Sequence, residues 1–251
     1  MTSDKLFDYY VNEAETTFEG WDFSYIKSRI IYSPLPWSYR ALIIPFLFDS
    51  KSFLDLDTGG GEFLSELPFP SNTFATESYE PNVKVSKNRL EPLGVTVVQT
   101  YGNSKLPFEN DYFDLIINRH ESFSASEVNR ILKKGSILIT QQVGTNDGIE
   151  INKALEAPPP KDYDPNWNLK SFTSTLVDAG FKILRSEEAK SLTRVFDIGA
   201  LIYYLKAIPW QIPDFSVSKY LNNLKNLHNI IESRGYFDFT SERQLVICKK
   251  I

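Results

Sequence analysis

The chain has 251 residues, 42% hydrophobic and 24% charged, which suits one large folded domain or a domain with an appendage and excludes a disordered, collagen-like or fibrous protein. Its 27 Lys and Arg against 32 Asp and Glu leave a net charge of -5, so no general positive field gathers a phosphate backbone and nucleic acid is disfavoured as a partner. The single cysteine, Cys248, excludes an intrachain disulfide and a cysteine-built zinc site, no metal is called for, and a reducing cytoplasmic compartment is expected.

The opening stretch MTSDKLFDYYVNEAETTF is acidic, with no basic segment leading into an apolar run, so neither a signal peptide nor a membrane span is expected. Two aromatic clusters follow, Phe18-Glu19-Gly20-Trp21-Asp22-Phe23 and Pro34-Leu35-Pro36-Trp37-Ser38-Tyr39, before the apolar run from Ala41 to Phe48. Residues 1–45 read as a helical cover, and residues 46–251 as the main domain. From Ser52 onward, short apolar runs alternate with helix-like stretches, the spacing of a parallel sheet with crossover helices. Candidate strands are Phe53 to Leu56, Thr73 to Glu77, Val95 to Gln99, Phe113 to Asn118 and Ser136 to Gln141. Pro81 to Leu90 reads as a helix with proline in its first turn, and Ala125 to Leu132 as another, stopped near Gly135. The prolines Pro158 to Pro160 mark an exposed connection. Leu169 to Ala179 reads as a helix stopped by Gly180, and Phe181 to Leu184 as a further strand. Residues 190–240 break the alternation, with an apolar helix from Asp197 to Ala207, a Pro209-Trp210-Gln211-Ile212-Pro213 break and a helical pattern from Val217 to Ser233, and read as a lid-like insertion. Gln244 to Cys248 closes the chain as a strand antiparallel to the one near residue 183. The whole is an α/β chain with a doubly wound, mostly parallel seven-stranded sheet and helical covers.

The sharpest local signal is Phe53-Leu54-Asp55-Leu56-Asp57-Thr58-Gly59-Gly60-Gly61-Glu62-Phe63, an apolar strand running into three glycines and a helix-like segment. Such a turn lets backbone N–H groups approach a ligand at a helix N-terminus. It is not a dinucleotide fingerprint, because the sixth place counted from Gly59 is Leu64, and no Gly-Lys-Ser/Thr follows to make a phosphate-binding loop. One strand later, Glu77 stands at a strand end, where a carboxylate accepts from both ribose hydroxyls, so the pair points to an adenosine-type ligand.

At these residues the chain resembles the class I S-adenosylmethionine-dependent methyltransferases, whose first motif reads apolar-Leu-Asp-x-Gly-x-Gly-x-Gly. Leu106-Pro107-Phe108, Phe113-Asp114-Leu115-Ile116, Glu127-Val128-Asn129-Arg130-Ile131-Leu132-Lys133-Lys134-Gly135 and Asp178-Ala179-Gly180-Phe181 look like the family's later blocks in the family's order. The resemblance covers about residues 50 to 190 and the last strand. It implies a Rossmann-like methyltransferase fold with S-adenosylmethionine as cofactor. It places Gly59 and Gly61 at the cofactor's amino-acid end, Asp55 on the loop or the amino group, and Glu77 on the ribose. Ser78 and Tyr79 would flank the adenosine, Asn103 would contact adenine, and Asn118, Arg119 and His120 would border the methyl and the methionine portion. Asp57 stands where the family usually has its first glycine, a departure that bears on cofactor affinity.

Methyl transfer is an in-line displacement at a carbon already activated by a sulfonium, so the protein mainly aligns the reactants and excludes water. If the acceptor is a hydroxyl or a protonated amine, His120 and Glu121, at the strand end facing the cleft, are the candidate bases. The aromatic covers favour a small or medium-sized organic acceptor. An RNA or protein acceptor would need a basic strip, and Lys84, Lys87, Arg89 and Lys105 offer only scattered charge. A non-catalytic module that only binds the cofactor is the other alternative. Elsewhere, His228 is expected to be exposed, Asp197 to cap a helix, Cys248 to be a buried inert thiol, and Tyr203, Tyr204, Trp210 and Phe215 to be core.

Overall fold

Pairing of the apolar runs produces one mixed sheet in the computed structural model, which describes residues 2–102, 105–160 and 162–251. Its strands are β1 (Ile30–Tyr32), β2 (Phe53–Leu56), β3 (Thr73–Glu77), β4 (Thr96–Gln99), β5 (Phe113–Arg119), β6 (Leu132–Val143), β7 (Phe181–Val195) and β8 (Phe237–Lys250), in the order β1-β7-β8-β6-β5-β2-β3-β4. The block from β4 to β6 is parallel throughout, whereas β8 lies antiparallel between β6 and β7. The helices are α1 (Ser3–Glu13), α2 (Tyr39–Asp49), α3 (Glu62–Ser65), α4 (Glu80–Leu90), α5 (Ala125–Ile131), α6 (Ile149–Leu155), α7 (Leu169–Asp178), α8 (Ile198–Ala207) and α9 (Leu221–Arg234). None among the described residues is long and apolar enough to cross a membrane.

Several helices start where a side chain accepts an otherwise unpaired N–H of the first turn. Ser38 caps α2, Ser124 caps α5, Asp197 caps α8, and Asn168 forms a reciprocal capping box with Ser171 on α7. The central parallel strands are buried on both faces. Ile43, Leu47, Leu64 and Leu90 pack with Phe53, Leu115, Ile139 and Leu245 on one side; Val128, Ile131, Phe172 and Leu176 pack with Leu54, Ile116, Leu138 and Val246 on the other. A third core joins α1, α6, α8 and α9 through Phe7, Ile151, Leu201, Leu205, Leu224 and Leu227, and reaches Val195 and Phe239.

In its fold, the structure departs from the sequence reading in five places. The sheet has eight strands among the described residues rather than seven, because Ile30–Tyr32 adds an antiparallel edge to Thr193–Val195. Strand β7 continues far beyond Leu184, and its alternation of half-buried and exposed residues marks one partly covered face and one open to solvent. Residues 190–195 and 237–240, read as part of the insertion, therefore belong to paired strands; they extend past Val143 of β6 and carry the third core above the carboxyl ends of the parallel strands. Helix α5 ends at Ile131, and Gly135 lies in a bulge of β6 where the pairing jumps from Phe113↔Leu132 to Leu115↔Ile137. His228 is 1% exposed, not a surface residue: it sits against the Phe7 and Tyr10 rings with Nε2 at 3.2 Å from the Ser3 carbonyl oxygen.

Candidate functional site

The chain lays down β2, β3 and β4 outward in one direction and then returns to place β5 and β6 on the other side of β2. The crevice between the carboxyl ends of β2 and β5 is thus a topological switch point, where open α/β sheets bind their ligands. The glycine loop opens there. Thr76 of β3 holds its start, accepting the Asp57 N–H on its hydroxyl and the Thr58 N–H on its carbonyl, each at 2.9 Å. Asp57 (φ 55°), Gly59 (φ 65°) and Gly61 (φ 79°) are all left-handed, so the conformation that suits glycine is imposed on an aspartate at the first position. A Cβ on Gly61 would stand 2.7 Å from Leu90 Cγ, so glycine is also what lets the loop close against α4.

Four carboxyl groups converge on this crevice. Asp55 is buried, accepts the Thr58 hydroxyl at 2.7 Å, and burial pushes it up to about 6 against the opposing pull of Thr58 and Arg119. Asp57 is pushed up to about 7, first by burial and then by Glu121, Glu77 and Asp55, against a pull from the nearby Ser78 hydroxyl; neither of its buried carboxylate oxygens has a well-formed hydrogen bond. Glu77 is also pushed up to about 7 by burial, opposed by the backbone N–H groups of Tyr79, Gly59 and Ser78, of which Tyr79 donates to it at 2.7 Å. Glu121 is exposed at the end of β5, yet its surroundings raise it above the usual carboxylate range.

The other expected site residues divide. Ser78 and Tyr79 are exposed beside Glu77. Asn103 lies outside the described residues; its neighbours Gln99, Thr100, Tyr101, Gly102, Lys105 and Pro107 line an open cavity of about 240 Å³. Arg119 lays its guanidinium over the Phe63 ring at 4.5 Å, just past the glycine loop. Asn118 differs from expectation: it is fully buried, donating to the Leu56 carbonyl at 3.1 Å and accepting from Gln142 at 2.6 Å, so its amide clamps β2, β5 and β6 together rather than facing a ligand. His120 (φ 69°) is also corrected as a candidate base. Its Nε2 lies 2.9 Å from Gln141 Nε2, and burial, Arg243 and Arg119 hold the ring well below the ordinary histidine range, so it stays neutral with that nitrogen engaged.

Residues without a site role in the sequence reading complete the site, among them Trp210, expected in the core but 49% exposed. Trp21 covers the loop, its Cβ 3.7 Å from where a Gly59 Cβ would sit, and it stacks on Trp210 of the segment after α8 at 5.8 Å and 11°. Glu62 receives the Trp21 N–H at 3.5 Å and pairs with Arg89, which also bonds the Gly60 carbonyl. Trp37 Nε1 donates to Gln141 Oε1 at 2.8 Å, and Tyr39 donates to the Asn118 carbonyl at 2.8 Å. No local pattern announces these contacts; only the aromatic clusters in which Trp21, Trp37 and Tyr39 stand hinted at a cover.

No family model matches the sequence, and no curated protein matches it. Solved structures do. A candidate methyltransferase from Bacillus halodurans C-125 superposes with a TM-score of 0.61 at 18% identity, covering 84% of this chain and 96% of its own. The S-adenosylmethionine-dependent methyltransferase from Mesorhizobium loti matches with a TM-score of 0.51 at 13% identity over 84% of this chain and 95% of its own. The cyclase SpnF covers 100% of this chain and 97% of its own, with a TM-score of 0.52 and 14% identity. At these identities the likeness is one of fold.

Proposed function

We propose that this chain, which has the fold of the class I S-adenosylmethionine-dependent methyltransferases, binds S-adenosylmethionine and transfers its methyl group to a small or medium-sized organic acceptor. The observation that carries this reading is the left-handed glycine loop at the switch point with the Glu77 carboxylate on the neighbouring strand end. The residues present suit the cofactor. Glu77 would accept from the ribose hydroxyls, and the two buried oxygens of Asp57 would gain the well-formed hydrogen bonds they lack from the ammonium group of the methionine portion. Asp55 braces the loop through Thr58, and Arg119 stands beside the loop with a cationic group.

When bound, the cofactor supplies a methyl carbon already activated by a positive sulfonium. The chain's own part is to align and to exclude water. Trp21, stacked on Trp210, covers the glycine loop, and the aromatic richness of the covers favours an organic acceptor over a polymer. A proton leaving the acceptor has Glu121 at hand, an exposed carboxyl group whose hold on a proton is strengthened by desolvation.

A second reading, a cofactor-fold protein that does not transfer methyl, is favoured by Asp57, a carboxylate where this motif ordinarily carries no side chain. Incubation with S-adenosylmethionine and a panel of phenols, carboxylates and amines, following release of S-adenosylhomocysteine, separates the two. Acceptor-dependent release that falls in Glu77→Ala supports transfer; saturable binding with no release by any acceptor supports the second reading.

A further inference from the structure

Trp37, Gln141 and His120 form a relay in which each donor and acceptor is forced. An indole N–H only donates, so the Gln141 atom at 2.8 Å from Trp37 Nε1 is its carbonyl oxygen and the amide orientation is determined. The Gln141 NH2 then faces His120 Nε2 at 2.9 Å, and because an amide nitrogen only donates, that ring nitrogen is the acceptor. The proton of the neutral imidazole is therefore on Nδ1, which has no protein partner among the described residues and is not one of the sealed polar atoms. The backbone of His120 is held at φ 69° with its N–H on the Gln141 carbonyl at 2.8 Å, so Gln141 fixes both the backbone and the ring of His120. A non-glycine residue in the left-handed region persists only where its surroundings over-determine it, and such positions gather at functional sites.

We propose that His120, set by Trp37 and Gln141 as an Nδ1–H donor, binds a hydrogen-bond-accepting oxygen of the methyl acceptor, a carboxylate or carbonyl. This deepens the methyltransferase reading and rests on it. It assigns His120 to recognition, and Trp37 and Gln141 to positioning. The cationic groups near the ring, Arg119 and Arg243, favour an oxygen that carries negative charge, while Glu121, the adjacent residue, remains the proton acceptor.

The chain has two histidines, so 15N-detected imidazole spectra resolve both, and the signals lost in His120→Asn assign them. The intact protein should show His120 protonated on Nδ1 alone from pH 6 to pH 8, and both Trp37→Phe and Gln141→Leu should abolish that preference. An Nε2-protonated ring in the intact protein, or a tautomer unmoved by either substitution, overturns the relay. Benzoate, benzamide and benzylamine are then titrated with S-adenosylhomocysteine present. Benzoate and benzamide should move the His120 Nδ1 signal saturably, benzylamine should not, and Gln141→Leu should weaken benzoate by about fivefold, one neutral hydrogen bond. A signal that ignores both oxygen probes, or that answers to benzylamine instead, overturns the recognition role. Failure of S-adenosylhomocysteine to bind would count against the methyltransferase reading alone, since the tautomer is read without it.

Discussion

Both carboxylate oxygens of Asp57 are buried without a well-formed hydrogen bond, in a backbone conformation that suits glycine, among three other carboxyl groups. Its folded value of about 7 lies above the unfolded 3.8, so the folded state binds the extra proton and stability falls as pH rises from about 4 through 7. Asp57→Asn should therefore match the parent protein at pH 4 and exceed it by roughly 2–4 kcal/mol at pH 8, as measured by denaturant unfolding. Equal stability at both pH values would show that Asp57 is ordinarily solvated. Glu77→Ala should weaken S-adenosylhomocysteine by about 10–100-fold, the loss of hydrogen bonds to a charged acceptor, without lowering the Tm. At this scale the sequence was informative where chemistry is local. Strand, glycines and Glu77 lie within 25 residues and were legible. The Trp37 to Gln141 contact spans 104 residues and was not, and neither was the tautomer of His120, which that contact decides.

Among elements, β5 is the keystone, paired on one side with β2 and on the other with β6. Asn118 sits in it as a clamp, bonded to Leu56 of β2 and accepting from Thr140 and Gln142 of β6. Asn118→Ala removes the bond to Leu56 and one acceptor each from Thr140 and Gln142, whose amide keeps the Glu121 carbonyl and the Thr140 hydroxyl; it should cost about 1–3 kcal/mol in denaturant unfolding, more than a ligand-contact role would predict. The parallel strands were readable because burial on both faces makes their runs continuously apolar. The outer half of β7 was missed for the converse reason. LRSEEAKSLTR has charged residues on both faces, and only pairing with β8 along its length makes it a strand. Ile30–Tyr32 is equally mute, three residues whose strand character is conferred by Thr193–Val195.

At the scale of the molecule, three cores divide the work. Two sandwich the sheet and hold the glycine loop; the third, of α1, α6, α8 and α9, stands on the extended ends of β7 and β8 above the crevice. Phe7 is 2% exposed at the seam between α1 and that third core. Phe7→Ala should loosen α1 and α8 by about 3 kcal/mol in hydrogen exchange while the amides of β2 and β5 keep their protection; uniform loss across the sheet would mean that the cover and the sheet unfold as one unit. The doubly wound layout was visible in the alternation of runs, but the height of the cover was not, because it depends on how far two strands overrun the sheet.

The crevice between β2 and β5 is the proposed seat of S-adenosylmethionine. Calorimetric titration of the folded protein with S-adenosylhomocysteine, beside NAD as the dinucleotide control, addresses it directly. Saturable one-to-one binding of S-adenosylhomocysteine, lost or strongly weakened in Glu77→Ala and absent for NAD, is the predicted result. No binding by protein that unfolds cooperatively, or binding untouched by Glu77→Ala, would contradict it.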